Sequence, residues 1–307
     1  MRIAILGAGG IGAPIGASLA TSDHDVNFVA RGAHLAAMRA NGLRVEGDRG
    51  VTLVHPVQAT NDIGSIGPVD IVLTCVKLWD LETSAEQMRP LIGPDTAVIP
   101  MQNGVDASER LIPILGADHV MGGVAMVTGS IIAPGVVRQA GTHHGVIFGE
   151  LDGSVTPRAE RFRDACLAAG ITPTLTDDIQ YARWEKFVGL AAISGLAALT
   201  RQPIGTLRDD PDIKPLFDAA MRENIAVGVA CGVRLGPEMT DKWTGFLNML
   251  PATARPSMAV DLIAGNRLEL RWLAGKIVEL GRVHGVPTRV NDVIYGALKP
   301  FADGTPG

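Results

Sequence analysis

A glycine-rich motif between a strand and a helix restricts the fold of this chain more than any other feature. The motif, GAGGIG over residues 7–12, follows the apolar segment Arg2–Leu6, which predicts a buried strand, and opens the predicted helix Gly10–Ser22. Glycine is needed at Gly7 for the tight turn, at Gly9 for close approach of a pyrophosphate, and at Gly12 for packing of the helix on the strand. Unpaired amides at the positive helix end would bind the pyrophosphate. We therefore predict a dinucleotide site formed by Gly7, Gly9, Gly10, Ile11 and Gly12.

The rest of the first half alternates short apolar strands with helical segments. Strands are predicted at Asp25–Arg31, Asp70–Val76 and Thr96–Pro100, a hairpin at Leu43–Val45 and Val51–Val54, a helix at Leu81–Leu91, and several antiparallel strands within Val120–Glu150. Apolar runs that are buried on both faces are typical of a parallel sheet covered by helices.

The second half has helical periodicity almost throughout. Helices are predicted at Pro157–Ala169, Tyr181–Leu199, Ile213–Cys231, Pro237–Leu250, Leu268–His284 and Asn291–Phe301. The sequence therefore predicts an α/β fold in which a Rossmann-type dinucleotide-binding domain, residues 1–175, precedes an all-helical domain, residues 176–307.

The residue at the end of the second strand selects the cofactor. An NAD site usually has an acidic residue there to bind the ribose 2′-hydroxyl. This chain has Arg31, with no carboxylate nearby in sequence. Because a guanidinium pairs with a phosphate that an acid would repel, Arg31 favours NADP(H); the alternative is a solvated surface arginine.

Composition limits the remaining function classes. The 307 residues are 47% hydrophobic and 19% charged, which allows a sizeable core, and the net charge of −5 argues against a nucleic-acid partner. The sequence has no apolar run long enough to predict a membrane span, and its three dispersed cysteines do not form a metal-binding pattern. We expect a cytoplasmic protein without a membrane partner.

Four further segments, in order and spacing, resemble the ketopantoate reductase (2-dehydropantoate 2-reductase) family. They are TCVK at 74–77, QNG at 102–104, WEK at 184–186, and RPSM at 255–258 with an acid twelve residues beyond Ser257. The resemblance implies an NADPH-dependent oxidoreductase of pantothenate biosynthesis, which reduces a small 2-oxo acid to a 2-hydroxy acid in a cleft between its two domains.

The resemblance also implies roles for individual residues. Lys77 and Asn103 would lie beside the nicotinamide half of the cofactor, and Asn103 would also position the substrate. Lys186 would be the general acid that protonates the substrate carbonyl oxygen, a role that suits an ammonium group. Ser257 would bind the substrate carboxylate. Glu269 would orient Lys186 or a substrate hydroxyl, or would simply be a favourable acid in a helix N-terminal turn.

Departures from the family pattern leave the substrate open. Leu190, Ser194 and Ile204 stand where the best-known members have asparagines that face the substrate. A lost amide partner for a buried hydroxyl costs ~1–3 kcal/mol, so a more apolar 2-oxo acid is one alternative substrate. The sequence is also compatible with a 3-hydroxy acid dehydrogenase and with a non-catalytic NADP(H)-binding regulator. The helical domain could support a homodimer.

Overall fold

The computed structural model describes residues 1–304 and consists of two compact units. The first comprises residues 1–102 and 106–180, and the second comprises residues 103–105 together with the chain from Tyr181 onwards.

The first unit contains twelve strands and five helices. The strands are β1 (Arg2–Leu6), β2 (Asp25–Val29), β3 (Leu43–Gly47), β4 (Gly50–Val54), β5 (Gln58–Thr60), β6 (Val69–Thr74), β7 (Ile92–Pro100), β8 (Gly122–Met126), β9 (Gly129–Ala133), β10 (Val136–Gln139), β11 (Gly145–Gly149) and β12 (Thr172–Leu175). The helices are α1 (Gly12–Ala20), α2 (Gly32–Asn41), α3 (Leu81–Gln87), α4 (Ala107–Leu115) and α5 (Pro157–Ala168). The central sheet has the order β5-β2-β1-β6-β7, with every neighbouring pair parallel. This arrangement confirms the predicted helix-covered parallel sheet.

Both faces of the central sheet are buried, because alternate side chains of each strand enter different cores. On β1, Ile3 and Ile5 pack in one cluster with residues of α1 and α2. Ala4 and Leu6 pack in another cluster with residues of α3 and α4. Each of these four side chains is at most 1% exposed. Two-sided burial explains why the strands are apolar runs and do not alternate with polar residues.

The strands within residues 120–150 divide between two small sheets and are not purely antiparallel, which corrects the expectation from sequence. β9 and β10 pair antiparallel, but β10 joins the hairpin β3–β4 through a parallel pairing with β3. β8 and β11 also pair antiparallel, and β11 pairs in parallel with β12. Short β-branched segments indicate a strand, but they do not indicate which distant strand it pairs with. That pairing depends on how the folded chain packs.

The second unit is helical, as predicted. Its helices are α6 (Ile179–Thr200), α7 (Ile204–Asp209), α8 (Lys214–Ala230), α9 (Glu238–Met249), α10 (Ser257–Ile263), α11 (Ala274–His284) and α12 (Arg289–Leu298), of which α6 begins at the boundary of the first unit. Helix α6 is buried on most of its circumference, which explains its nearly continuous apolar sequence.

One predicted helix is interrupted. The segment Leu268–His284 forms a 3-10 turn over Leu270–Trp272 and leaves helical geometry at Leu273, where φ is −106° and ψ is −103°, before α11 begins. Leu268, Leu270 and Leu273 are all buried, so an apolar period continues across the break and conceals it in the sequence. Among residues 1–304, no helix has both the length and the apolar character that crossing a bilayer requires.

Candidate cofactor and catalytic sites

The glycine-rich turn after β1 is packed too tightly for side chains at its first and last glycines. Gly7 has a φ of +100°, and a Cβ there would lie 2.9 Å from the carbonyl oxygen of Cys75. A Cβ on Gly12 would lie 2.1 Å from the carbonyl oxygen of Gly7. Because these neighbours are backbone atoms that cannot rotate away, both positions require glycine for the fold itself.

The two glycines in the middle of the motif differ from each other. A Cβ on Gly10 would lie 1.9 Å from the carbonyl oxygen of Gly129, the first residue of β9, so this position also serves internal packing. A Cβ on Gly9 would meet no atom within 4 Å. Gly9 therefore leaves an open cradle just before α1, where half-buried Ile11 is the N-cap. Such a cradle at a helix N-terminus fits the pyrophosphate of a dinucleotide.

A histidine that sequence reasoning missed ties this turn to a neighbouring loop. His34 on α2 accepts a hydrogen bond at Nδ1 from the backbone N–H of Gly135, with a separation of 3.0 Å. Its Nε2 lies 2.9 Å from the carbonyl oxygen of Ala8 and donates to it, since Nδ1 already accepts. A single histidine within a mostly exposed helix carries no sequence signal for such a contact.

The predicted cofactor residues Arg31 and Lys77 lie beyond the carboxyl ends of strands on either side of β1. Arg31 is the N-cap of α2, and its side chain is 79% exposed while forming an ion pair of 2.9 Å with Asp80. Lys77 is exposed at the start of the 3-10 turn Leu78–Asp80, with Nζ 5.5 Å from the centre of the Trp79 ring. Ligands of open parallel sheets bind at this edge.

In the second unit, Lys186 and Asn103 come together although 83 positions separate them in the chain. Lys186 lies on α6, and its Nζ donates a hydrogen bond of 3.0 Å to Oδ1 of Asn103. Asn103 is followed by Gly104, whose φ of +109° turns the chain. A Cβ on Gly104 would lie 3.5 Å from the carbonyl oxygen of Trp272, which places this loop beside the turn that follows Glu269.

The electrostatics around Lys186 suit an acid that works near neutral pH. Burial lowers the pKa of the Lys186 ammonium to about 8, and the negative charge of Glu269 opposes that shift. Glu269 is half-buried and directly precedes the turn Leu270–Trp272. A general acid is most effective when its pKa is close to the working pH. Lys186, oriented by Asn103 and kept charged by Glu269, can therefore donate a proton to an oxygen that gains negative charge.

Helix α9 supports the turn of α6 that carries Lys186, which the sequence did not reveal. The indole N–H of Trp243 donates a 2.9 Å hydrogen bond to the backbone carbonyl of Glu185. The Trp243 ring also lies where a Cβ of Gly189 would be, at 1.8 Å. The need for glycine at Gly189, opposite Trp243, can be recognised only once α6 and α9 are known to be neighbours.

The other predicted substrate residues differ in their burial and in their bonds to Lys186. Ser257 is exposed at the first position of α10 and has no hydrogen bond to Lys186 within the described chain. Leu190, one helical turn beyond Lys186, is half-buried, whereas Ser194 and Ile204 are at most 2% exposed. Between Met1 and Gly304, no group of three or more His, Cys, Asp or Glu side chains could hold a metal ion.

Comparison with known proteins agrees with this architecture over nearly the whole chain. The family model described as ketopantoate reductase PanE/ApbA matches residues 3–153, and the model for its C terminal part matches residues 178–302. The 2-dehydropantoate 2-reductase of Mesorhizobium japonicum is 30% identical over 98% of both chains. That of Archaeoglobus fulgidus is 31% identical over 99% of this chain and 98% of its own. The crystal structure of 2-dehydropantoate 2-reductase from Geobacter metallireducens has a TM-score of 0.92 and 31% identity, and the match covers 98% of this chain and 99% of that one. The chain therefore belongs to the ketopantoate reductase family, as its motifs predicted.

Proposed function

We propose that this protein reduces 2-dehydropantoate (ketopantoate) to pantoate with NADPH. The observation that carries the proposal is the placement of Lys186, half-buried, hydrogen-bonded to Asn103 and with a pKa of about 8, in a chain of this family. Relatives that match it over almost their whole length are 2-dehydropantoate 2-reductases. The partner is then a small-molecule 2-oxo acid.

Residues of the second unit would supply the proton and position its donor. Bound NADPH supplies a hydride to the carbonyl carbon of the substrate. The oxygen gains the electron pair of the C=O π bond, and Lys186 transfers its proton to that oxygen, so that the product is a 2-hydroxy acid. Asn103 holds the lysine Nζ in place through its side-chain oxygen, and Glu269 stabilises the charged form of the lysine. We assign Ser257 to the substrate carboxylate by family resemblance alone.

The residues of the first unit would hold the cofactor. The open cradle at Gly9, the N-cap Ile11 and the packed glycines Gly7, Gly10 and Gly12 fit a pyrophosphate. Exposed Arg31 would pair with the 2′-phosphate, which is the basis for proposing NADPH and not NADH. We assign Lys77 to the nicotinamide half and, by family resemblance alone, also Asn103, which belongs to the second unit.

The first experiment follows NADPH consumption at 340 nm with ketopantoate in the native protein and in Lys186→Ala. We expect the variant to lose most of its turnover while its NADPH affinity stays within a few-fold of native. Lys214→Ala is the matched control, because Lys214 forms a part-buried ion pair with Asp218 within α8 and has no role in the proposal. Undiminished turnover in Lys186→Ala would refute its assignment as the general acid.

The same assay, extended to branched-chain and aromatic 2-oxo acids and repeated with NADH, tests the substrate and the cofactor. Leu190 and Ile204 stand, by family resemblance, where other members have asparagines, and they are the reason to test a more apolar substrate as the second candidate. Strong ketopantoate turnover would support the proposed reaction, and preference for an apolar 2-oxo acid would replace it. NADPH binding without turnover of any of these acids, or oxidation of 3-hydroxy acids only, would contradict both.

A homodimer is a further part of the proposal. Light scattering of the purified protein should give twice the chain mass of 32.2 kDa, and a single-chain mass would contradict it.

A further inference from the structure

The guanidinium proposed to bind the 2′-phosphate is already engaged by a carboxylate of the same chain. We propose that Asp80 competes with the cofactor 2′-phosphate for Arg31, and that this competition limits how strongly the protein prefers NADPH to NADH. The inference rests on the proposed function, because it requires a dinucleotide in the first unit.

The position of the ion pair follows from the order of the strands. β1 lies between β2 and β6 in the parallel sheet, so the carboxyl ends of all three strands lie at one edge. Arg31 follows the carboxyl end of β2, and Asp80 ends the 3-10 turn that follows β6. Since neighbouring strands are about 4.8 Å apart, the pair joins loops separated by roughly 10 Å. It does so at the edge where β1 leads into the glycine-rich turn.

The chemistry of the pair makes it a competitor rather than a permanent structural bond. The Arg31 side chain is 79% exposed and that of Asp80 is 35% exposed, and Nη2 to Oδ2 measures 2.9 Å. The accessible part of the guanidinium can meet a phosphate, but one of its nitrogens already donates to Asp80. A phosphate that binds Nη2 together with a second guanidinium nitrogen in the bidentate geometry competes with the carboxylate for Nη2. NADH has no 2′-phosphate, and its binding leaves the ion pair intact.

The test measures binding of NADPH and NADH to the native protein and to Asp80→Asn by titration calorimetry. Exposed ion pairs contribute little, so we expect the variant to bind NADPH about two- to five-fold more tightly. NADH affinity should stay nearly constant, so the affinity ratio should rise by the same factor. In the Arg31→Ala background the gain from Asp80→Asn should disappear, because no guanidinium remains to be released.

A matched control removes a different carboxylate from an exposed ion pair. Glu86 pairs with Arg89 at 2.6 Å and lies six residues beyond Asp80 on α3, roughly 9 Å further along the helix. Glu86→Gln should leave the affinity ratio unchanged.

Three results would overturn the inference: an unchanged ratio in Asp80→Asn, an equal gain in Glu86→Gln, or a gain that persists without Arg31. The last would mean that Asp80 only repels the phosphate. If the native protein binds neither dinucleotide, the proposed function fails as well, whereas the three results above leave it intact.

Discussion

Replacement of Gly9 by alanine should separate cofactor binding from folding. A Cβ at this position meets no protein atom within 4 Å, and Gly9 does not have a positive φ. Glycine-to-alanine changes at such positions stabilise a protein by ~0.4–1 kcal/mol, because the unfolded chain loses freedom. The thermal midpoint should therefore stay the same or rise slightly.

Cofactor binding should respond in the opposite direction. The methyl group would occupy the space into which the pyrophosphate fits, and steric overpacking typically costs ~1–3 kcal/mol. At about 1.4 kcal/mol for each factor of ten, the dissociation constant for NADPH should rise roughly 5- to 150-fold.

Gly10→Ala is the matched comparison within the same turn. Its Cβ would lie 1.9 Å from the carbonyl oxygen of Gly129, a backbone atom, so the cost falls on the folded protein itself. The same ~1–3 kcal/mol should lower the thermal midpoint by roughly 2–12 °C.

Differential scanning fluorimetry and NADPH titration on the two variants provide the assay. Native-like NADPH affinity in Gly9→Ala would refute the assignment of the open cradle to the pyrophosphate. An unchanged midpoint in Gly10→Ala would refute the packing argument for the contact with β9.

Three further predictions concern protonation and substrate choice. The kcat/KM for carbonyl reduction should be constant below about pH 8 and fall about tenfold per pH unit above it. The reason is that Lys186, whose pKa is lowered to about 8, loses its proton. A kcat/KM that stays constant up to about pH 10 would contradict this. Leu190→Asn should raise kcat/KM for ketopantoate at least ~5-fold relative to a branched-chain 2-oxo acid, since an amide would satisfy a substrate hydroxyl; an unchanged ratio would contradict it. Burial lowers the pKa of His144 from 6.5 to about 4, so the unfolded chain takes up the proton first as the pH falls. Stability should therefore decrease between about pH 6.5 and 4, by ~1–3 kcal/mol after allowance for solvent screening, and urea unfolding of His144→Gln should lack this decrease.

The cofactor motif shows which structural features a contiguous sequence pattern predicts and which it does not. The bounds of β1 and the start of α1 follow from an apolar run and a glycine-rich turn that are continuous in sequence. The requirement for glycine at Gly10 does not follow, because the atom it faces belongs to Gly129, more than one hundred residues away. Only the pairing of distant strands brings that backbone to the turn.

Helix prediction fails where the apolar pattern is weak or misleading. Helix α2 escapes prediction, because only Leu35 and Met38 of its ten residues are buried. Helix α4 contains Pro113, which ordinarily argues against a helix. The break at Leu273 is hidden because buried Leu268 before it and Ile277 after it continue the apolar period. Tertiary packing outweighs local propensity at each of these places.

The class of fold, the family and the residue types available for chemistry can all be read from the sequence, because periodicity, glycine turns and motif order are properties of contiguous segments. Which of those residues meet is a property of the folded chain. Folding joins Lys186 to Asn103, Arg31 to Asp80 and His34 to the turn at Ala8, and it leaves Ser257 without a bond to the lysine. These pairings depend on long-range packing of strands and helices, for which a single sequence contains no local signal.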